Sequence, residues 1–422
     1  QPQRNLLKLK RSALHSHYRK QVDELSDLVQ RPGLSAFGPQ NIWPWIKGYF
    51  KYAFNAKHPF VEYPAQGEQG LYPLQAADQG KAIKVAIAGD WGTGTEEAFK
   101  VAEGMLDFGP DYTIHLGDVY YVGDEEEVAE NFLGKDAEGY AGVEWPKGRV
   151  GSFALTGNHE MYANGTAYYK NLLPTLGIPT SQDKKQLASF FCLENDAWRV
   201  LGLDTGYNSV GLPILGQIPL INKLPWVGAD GKMESKMLDW LRKKINPAQR
   251  RLPTILLTHH QSFSAFEEGY PRPAGQLAEF FSGQQIVWIW GHEHRMAVYD
   301  KYTDANNITA YARCLGHGGM PVELKDVHDP SAPLQFYDHR TYASYDDGPV
   351  GFNGFLNVRL EGNKAVLDYR DVHNKAILQE EFTAAANGAI SQAFTLVGPE
   401  LTRGKAAPEA PLAQAAGSSA GK

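Results

Sequence analysis

Five apolar runs, each stopping at a small residue and followed at once by carboxylate, amide or imidazole side chains, constrain this chain more than any other feature. Gly89-Asp90-Trp91-Gly92 follows the run 83–88, and Gly117-Asp118-Val119-Tyr120-Tyr121 follows Ile114-His115-Leu116. Gly157-Asn158-His159-Glu160 follows Phe153-Ala154-Leu155-Thr156, and Thr258-His259-His260 follows Thr254-Ile255-Leu256-Leu257. The fifth block, Gly291-His292-Glu293-His294, follows Ile286-Val287-Trp288-Ile289-Trp290. Runs of this length, rich in Val, Ile and Leu, read as buried strands over 83–89, 112–117, 152–156, 198–204, 254–258 and 286–290. Helical spacing over 95–108, 123–133 and 233–246 alternates with them, which makes this an α/β domain. Ligands of such sheets bind outside the carboxyl ends of the strands, where all five blocks fall.

A glycine at a strand end lets the chain turn sharply and approach a ligand closely. Carboxylate oxygens and imidazole nitrogens together suit Zn, Fe, Mn or Ni. Two such ions ~3.5–4 Å apart can share one short carboxylate, and Asp118 is the candidate bridge. His292 and His294 are two residues apart, so an extended backbone would project both rings to one face. Gly-Asp alone is an ordinary turn, since it is common after strands, but the polar runs Gly157-Asn158-His159-Glu160 and Gly291-His292-Glu293-His294 directly after buried strands have little structural use. Five such blocks at strand ends of one domain point to a metal site.

The 422 residues are 43% hydrophobic and 21% charged, as in a globular protein with a sizeable core. A net charge of −7 suggests no nucleic-acid-binding surface, so an anionic substrate must be drawn by local charge such as bound cations. The two cysteines, Cys192 and Cys314, read as buried thiols. No run approaches the ~18 apolar residues of a membrane span. The cytoplasm is the default compartment, and a secreted or periplasmic one follows if a signal peptide was removed.

Residues 5–30 carry a helical pattern, and 41–56 interleave Trp43, Trp45, Tyr49, Phe50, Tyr52 and Phe54 with Lys47 and Lys51. That stretch suits an arm packing its rings on the main domain, and a peripheral membrane contact is the competing use. The expected organisation is an N-terminal helical arm and linker over 1–80, a catalytic domain over 81–382 and an Ala/Gly-rich tail over 383–422. Two insertions, 206–231 and 326–350, are expected to interrupt the domain as long loops.

Over roughly 83–320 the blocks resemble the calcineurin-like metallophosphoesterases, and within them the purple acid phosphatases. Gly92 stands where most of that superfamily places a histidine, and Tyr121 stands three residues after Asp118, where purple acid phosphatases place a tyrosinate on ferric iron. The resemblance implies a β-sandwich of two mixed sheets flanked by helices. It implies one metal held by Asp90, Tyr121 and His294, and a second held by Asn158, His259 and His292, with Asp118 bridging. Fe(3+) would be paired with Zn(2+), Fe(2+) or Mn(2+). His159 would stay off the metals and donate to the substrate or leaving group, while His260 and His317 could replace substrate-side histidines missing from Ser262 to Glu268. Tyr120, of opposite strand direction, is left to packing.

Two cations facing a phosphate ester neutralise it, orient it and lower the pKa of a bound water, so that hydroxide attacks in line. His159 as imidazolium would protonate the leaving oxygen. The expected activity is therefore hydrolysis of small phosphoesters, resembling an acid phosphatase. The alternatives are a phosphodiesterase on nucleotides or phospholipids, and a metal-binding module without catalysis.

Overall fold

The computed structural model describes residues 55–396 except 66–68, 138–140, 180–184, 211–229, 346–347 and 386–387, together with 34, 47–48, 51–52 and 401–403. The helix expected over 5–30, most of the aromatic arm, most of the 206–231 insertion and the end of the tail lie outside the described residues.

In chain order the strands begin with β1 (Leu71–Pro73), β2 (Ile83–Ala88), β3 (Tyr112–His115), β4 (Gly151–Ala154), β5 (Phe191–Glu194) and β6 (Arg199–Gly202). There follow β7 (Thr254–Thr258), β8 (Gln285–Trp290), β9 (Met296–Tyr299), β10 (Tyr302–Thr303), β11 (Thr309–Leu315), β12 (Val322–Glu323) and β13 (Leu334–Tyr337). The last are β14 (Thr341–Tyr345), β15 (Gly348–Gly351), β16 (Gly354–Glu361), β17 (Lys364–Asp371), β18 (Ala376–Ala384), β19 (Ile390–Leu396) and β20 (Thr402–Arg403).

One sheet runs β1-β5-β6-β7-β8-β11-β9-β13-β20, with β10 on β11, and a second runs β19-β18-β17-β16-β2-β3-β4. Both are mixed. β6, β7, β8 and β11 are parallel in the first, and β2, β3 and β4 in the second.

The two sheets face each other because each strand alternates its apolar side chains between two cores. Val85 and Ile87 of β2, Ile255 and Leu257 of β7, and Val287 and Ile289 of β8 fill the space between the sheets. Their neighbours face outward. Ala86 and Ala88 meet Val101 and Met105 of α1 (Glu96–Asp107). Leu256, Trp288 and Trp290 join the core of α4 (Ser235–Trp240) and α5 (Pro271–Phe281). The short helices α2 (Glu125–Asn131) and α3 (Asn158–Tyr162) belong to the strand-end loops. The fold is the expected sandwich of two mixed sheets flanked by helices.

Two regions differ from the loop-like expectation. The 326–350 segment places β13 in the first sheet and pairs β14 with β15, which pairs with β12 in a small third sheet. The sheet also continues past residue 383, because β19 pairs with β18 along its length and buries Ile390. Ile390, Gln392 and Phe394 share one strand face, a period the neighbouring Ala and Gly conceal.

One ion pair pins the sheets together. Arg313 of β11 meets Glu380 of β18 at 2.5 Å with both side chains fully buried, and Tyr369 donates to the same carboxylate at 2.5 Å. Glu380→Ala leaves the guanidinium buried without its partner and should cost about 3–5 kcal/mol. Chemical denaturation measures this, and replacing Arg313 by Met as well should restore most of the loss.

Candidate metal centre

The parallel strands β2, β3 and β4 of one sheet and β7 and β8 of the other end side by side. Backbone bonds stitch the ends together: Leu116 N–H donates to Ala88 O at 2.9 Å, Leu155 N–H to His115 O at 2.8 Å, and Gly291 N–H to His259 O at 3.0 Å. Only glycine fits at two of these crossings. A Cβ on Gly157 would lie 2.0 Å from Asp118 Oδ1, and one on Gly291 would lie 2.6 Å from Asp90 Oδ2.

Directly after these strands Asp90, Asp118 and His292 have φ of 56°, 76° and 67°. Non-glycine residues in that region cost on the order of 1–3 kcal/mol each, and such strain gathers at functional sites. His292 is thus in a turn, not in extended backbone as its spacing from His294 suggested. Both rings still line the site.

The side chains form two groups of acceptors that share Asp118. In the first, Tyr120 Oη lies 2.9 Å from Asp90 Oδ1, 3.1 Å from Asp118 Oδ2 and 3.0 Å from His294 Nε2. One hydroxyl proton cannot serve three acceptors. In the second, Asn158 Oδ1 lies 3.1 Å from His259 Nε2 and 2.9 Å from His292 Nδ1, and His259 Nε2 lies 3.3 Å from Asp118 Oδ2. His259 Nδ1 donates to Leu116 O at 2.9 Å, which turns its other nitrogen toward the cluster. Crowded oxygen and imidazole acceptors of this kind fit cations chemically.

The electrostatics follow from that crowding. Burial pushes Asp90 well above the usual carboxylate range. Burial also works against charge on Asp118 and His259, but their mutual attraction outweighs it, so Asp118 is held well below the usual range and His259 is raised to about 9. Burial lowers His292 to about 3 and His294 to about 4.

The residues named from the sequence divide clearly. Asp90, Asp118, Asn158, His259, His292 and His294 come together. His159 lies beside them: its backbone N–H donates to Asp118 Oδ1 at 2.9 Å, and its Nδ1 meets Tyr121 O at 2.5 Å. The phenol beside Asp90, Asp118 and His294 is that of Tyr120, the residue expected to pack. Strand alternation does not reach it, because β3 ends at His115 and Gly117 and Asp118 both turn at positive φ. The half-buried Tyr121 supplies the carbonyl that orients His159. His260 is buried against His292, their rings 4.5 Å apart. His317 is buried elsewhere, its Nε2 packed close to Gly354.

Three supporting residues escaped the sequence reading. Glu160 Oε2 accepts from Gly157 N at 2.7 Å and Asp118 N at 3.2 Å, tying together the loops that carry Asn158 and the bridging candidate. It stands three residues after the cap position Gly157, where a glutamate can reach back to the cap N–H, and that spacing is a legible signal. Glu127 accepts from the backbone of Tyr121, Val122 and Gly123 and so fixes the carbonyl beneath His159. Thr205, beyond the end of β6, accepts from His260 N at 2.9 Å.

The cluster opens into a cavity of about 190 Å³ lined by Asp118, Asn158, His159, Glu267, His292, His294 and Glu323. Neither lysine nor arginine is among these lining residues. At the rim, Arg295 lies 3.3 Å from Glu323 and Lys325 lies 3.4 Å from Glu267.

A two-sheet α/β sandwich with an acceptor cluster at converging strand ends offers a place for cations. The sequence pattern of the calcineurin-like phosphoesterases matches residues 83–296, and the chain belongs to that family of metal-using phosphoester hydrolases. No curated protein matches it. Among solved structures it is similar to GAP50, "the anchor in the inner membrane complex of Plasmodium", at 14% identity and TM-score 0.45, covering 71% of this chain and 88% of that one. It is similar to PhoD at 11% identity and TM-score 0.43, covering 77% and 74%. It is similar also to Vacuolar Protein Sorting 29 from Cryptosporidium parvum at 12% identity and TM-score 0.25, covering 75% and 97%. The family assignment rests on the sequence pattern, not on these distant likenesses. Among the described residues no helix is long and apolar enough to cross a membrane.

Proposed function

We propose that the chain is a dinuclear phosphoesterase of the purple acid phosphatase type acting on small phosphoesters, with a catalytic domain whose sheets extend past 81–382, from β1 (Leu71–Pro73) to β19 (Ile390–Leu396). The observation that carries this reading is the pair of acceptor groups sharing Asp118 Oδ2, 3.1 Å from Tyr120 Oη on one side and 3.3 Å from His259 Nε2 on the other. Asp90, Tyr120 and His294 would hold one cation, and Asn158, His259 and His292 the other, with Asp118 common to both. A phenol in the first group favours Fe(3+) there, and the second suits Zn(2+), Fe(2+) or Mn(2+). When bound, such cations neutralise phosphate charge and make a water molecule acidic enough to attack phosphorus.

The chain's own groups do the rest. The carbonyl of Tyr121 fixes the His159 ring, whose Nε2 lies 3.9 Å from Asp118 Oδ2 and whose side chain reaches the cavity. Burial outweighs the pull of the Asp118 carboxylate and lowers the pKa of this ring, so it carries its proton on the acid side of neutrality. From that position His159 holds the proton that the departing oxygen needs, a role worth about 10²–10⁴ in rate. Glu160 keeps the His159 loop and the Asp118 loop in register.

Glu267 and Glu323 favour a diesterase as the second reading. Both line the cavity; burial works against charge on Glu323, but the neighbouring Lys325 and Arg295 outweigh it and hold the carboxyl below its usual range. Carboxylates there repel a dianionic monoester more than a monoanionic diester. Purified protein loaded with iron and zinc should hydrolyse 4-nitrophenyl phosphate or its bis-ester, stop when a chelator strips it, and recover on reloading. The ratio of the two rates separates monoesterase from diesterase. No turnover of either ester by loaded protein overturns the enzyme reading.

A further inference from the structure

Beyond the ligand groups above, His260 remains. We propose that His260 is a third imidazole ligand of the second cation, beside His259 and His292, and that it biases this position toward Zn(2+) over Mn(2+). The inference rests on the two-cation reading and adds a ligand to it.

Three observations converge. Ligand nitrogens of His259, His260 and His292 all lie within 4.8 Å of one another, close enough for one ion. The His260 side chain is buried, 1% exposed, yet its Nε2 has no hydrogen-bond partner. Its other edge is anchored: Thr205 Oγ1 accepts from the backbone N–H of His260 at 2.9 Å and lies 3.2 Å from Nδ1. His259 is held in the same way, by Nδ1 on Leu116 O, with Nε2 toward the cluster. A metal-binding histidine has this form, one nitrogen oriented by a neighbour and the other given to the ion.

Other buried histidines of the chain lack partners as well. His115 also lacks partners on both ring nitrogens, but it is packed among Trp91, Phe132 and Trp145. His317 lacks partners too, yet it belongs to neither group of candidate ligands. His260 differs because its ring stands 4.7 Å from His259 and 4.5 Å from His292.

The consequence is selectivity. Imidazole ligands suit zinc, copper, iron and nickel, whereas carboxylate, carbonyl and water suit magnesium, calcium and manganese. Three imidazoles beside a single amide oxygen and a shared carboxylate shift the position toward the first set.

The test compares wild type, His260→Ala and His259→Ala by metal content, by competition of Zn(2+) against Mn(2+) and by the visible spectrum of the Co(2+)-substituted protein. In His260→Ala the zinc affinity of the second position should fall by more than the ~10–100-fold typical of losing a residue that only orients a ligand, with manganese much less affected, and the Co(2+) spectrum should change. An unchanged zinc-to-manganese ratio and spectrum in His260→Ala, while His259→Ala loses a metal equivalent, overturns the proposal and leaves the two-cation reading intact. Retention of both equivalents in His259→Ala overturns the two-cation reading, and this proposal with it. His260→Asn, whose side chain can still bond Thr205, gives the same readouts if the alanine variant does not fold.

Discussion

Asp118→Asn should lose bound metal and about 10³-fold or more of kcat/KM, on the order of 4 kcal/mol of transition-state stabilisation, while the protein stays folded. Asp118 Oδ1 accepts the backbone N–H of His159 at 2.9 Å, and this bond survives if the new amide oxygen takes its place. The amide nitrogen then falls where Oδ2 was, facing Tyr120 Oη and His259 Nε2. A donor stands where both cation groups need an acceptor, and the negative charge they share is gone. The substitution changes no volume, so the surrounding packing is kept. Metal analysis, turnover of an aryl phosphate and a thermal melt read the three parts separately. Full activity in a metal-loaded Asp118→Asn protein would exclude Asp118 as the bridge.

How much of this could be read from residues alone follows from the length scale of each signal. The strands were legible because the apolar runs of β2, β7 and β8 are local, whereas the sandwich of two mixed sheets was implied by the family resemblance. Strand ends were legible because the four-residue polar runs at Asn158 and His292 serve little structural purpose directly after buried strands, whereas Gly89-Asp90 by itself reads as an ordinary turn. What was not legible depends on contacts between distant segments or on single dihedrals. β13, β14 and β15 lie in a stretch whose Pro, Asp and His suggest a loop, and only pairing with β9 and β12 makes them strands. The turn at His292 reversed the expected extended geometry yet kept both histidines at the cavity. Thr205, which orients His260, sits 55 positions away from it in the chain. The described part of the arm shows contact with the domain, for Tyr52 Oη donates to Asp124 Oδ2 at 3.0 Å and its carbonyl accepts from Asn164.

Removing the phenol of Tyr120 should bleach the iron-loaded protein, and removing that of Tyr121 should not. Spacing after Asp118 gives the ferric ligand to Tyr121 by resemblance, but the hydroxyl beside Asp90, Asp118 and His294 belongs to Tyr120. Burial and the two carboxylates push the Tyr120 hydroxyl well above its ordinary pKa, so near neutral pH it keeps its proton unless a strongly charged cation displaces it. Fe(3+) is such a cation, and tyrosinate bound to it absorbs in the visible. Tyr120→Phe should therefore lose the violet band and the ferric ion with it, and turnover should fall with the lost site. Tyr121→Phe keeps the main-chain carbonyl that holds His159 Nδ1 at 2.5 Å, so its band should persist and its turnover change little. The opposite pattern, with the band lost only in Tyr121→Phe, would return the role to the residue that spacing suggests. A protein colourless in every form but fully active would remove iron and the phenolate from the site, and leave hydrolysis to a pair of divalent ions held by the remaining carboxylate, amide and imidazole ligands.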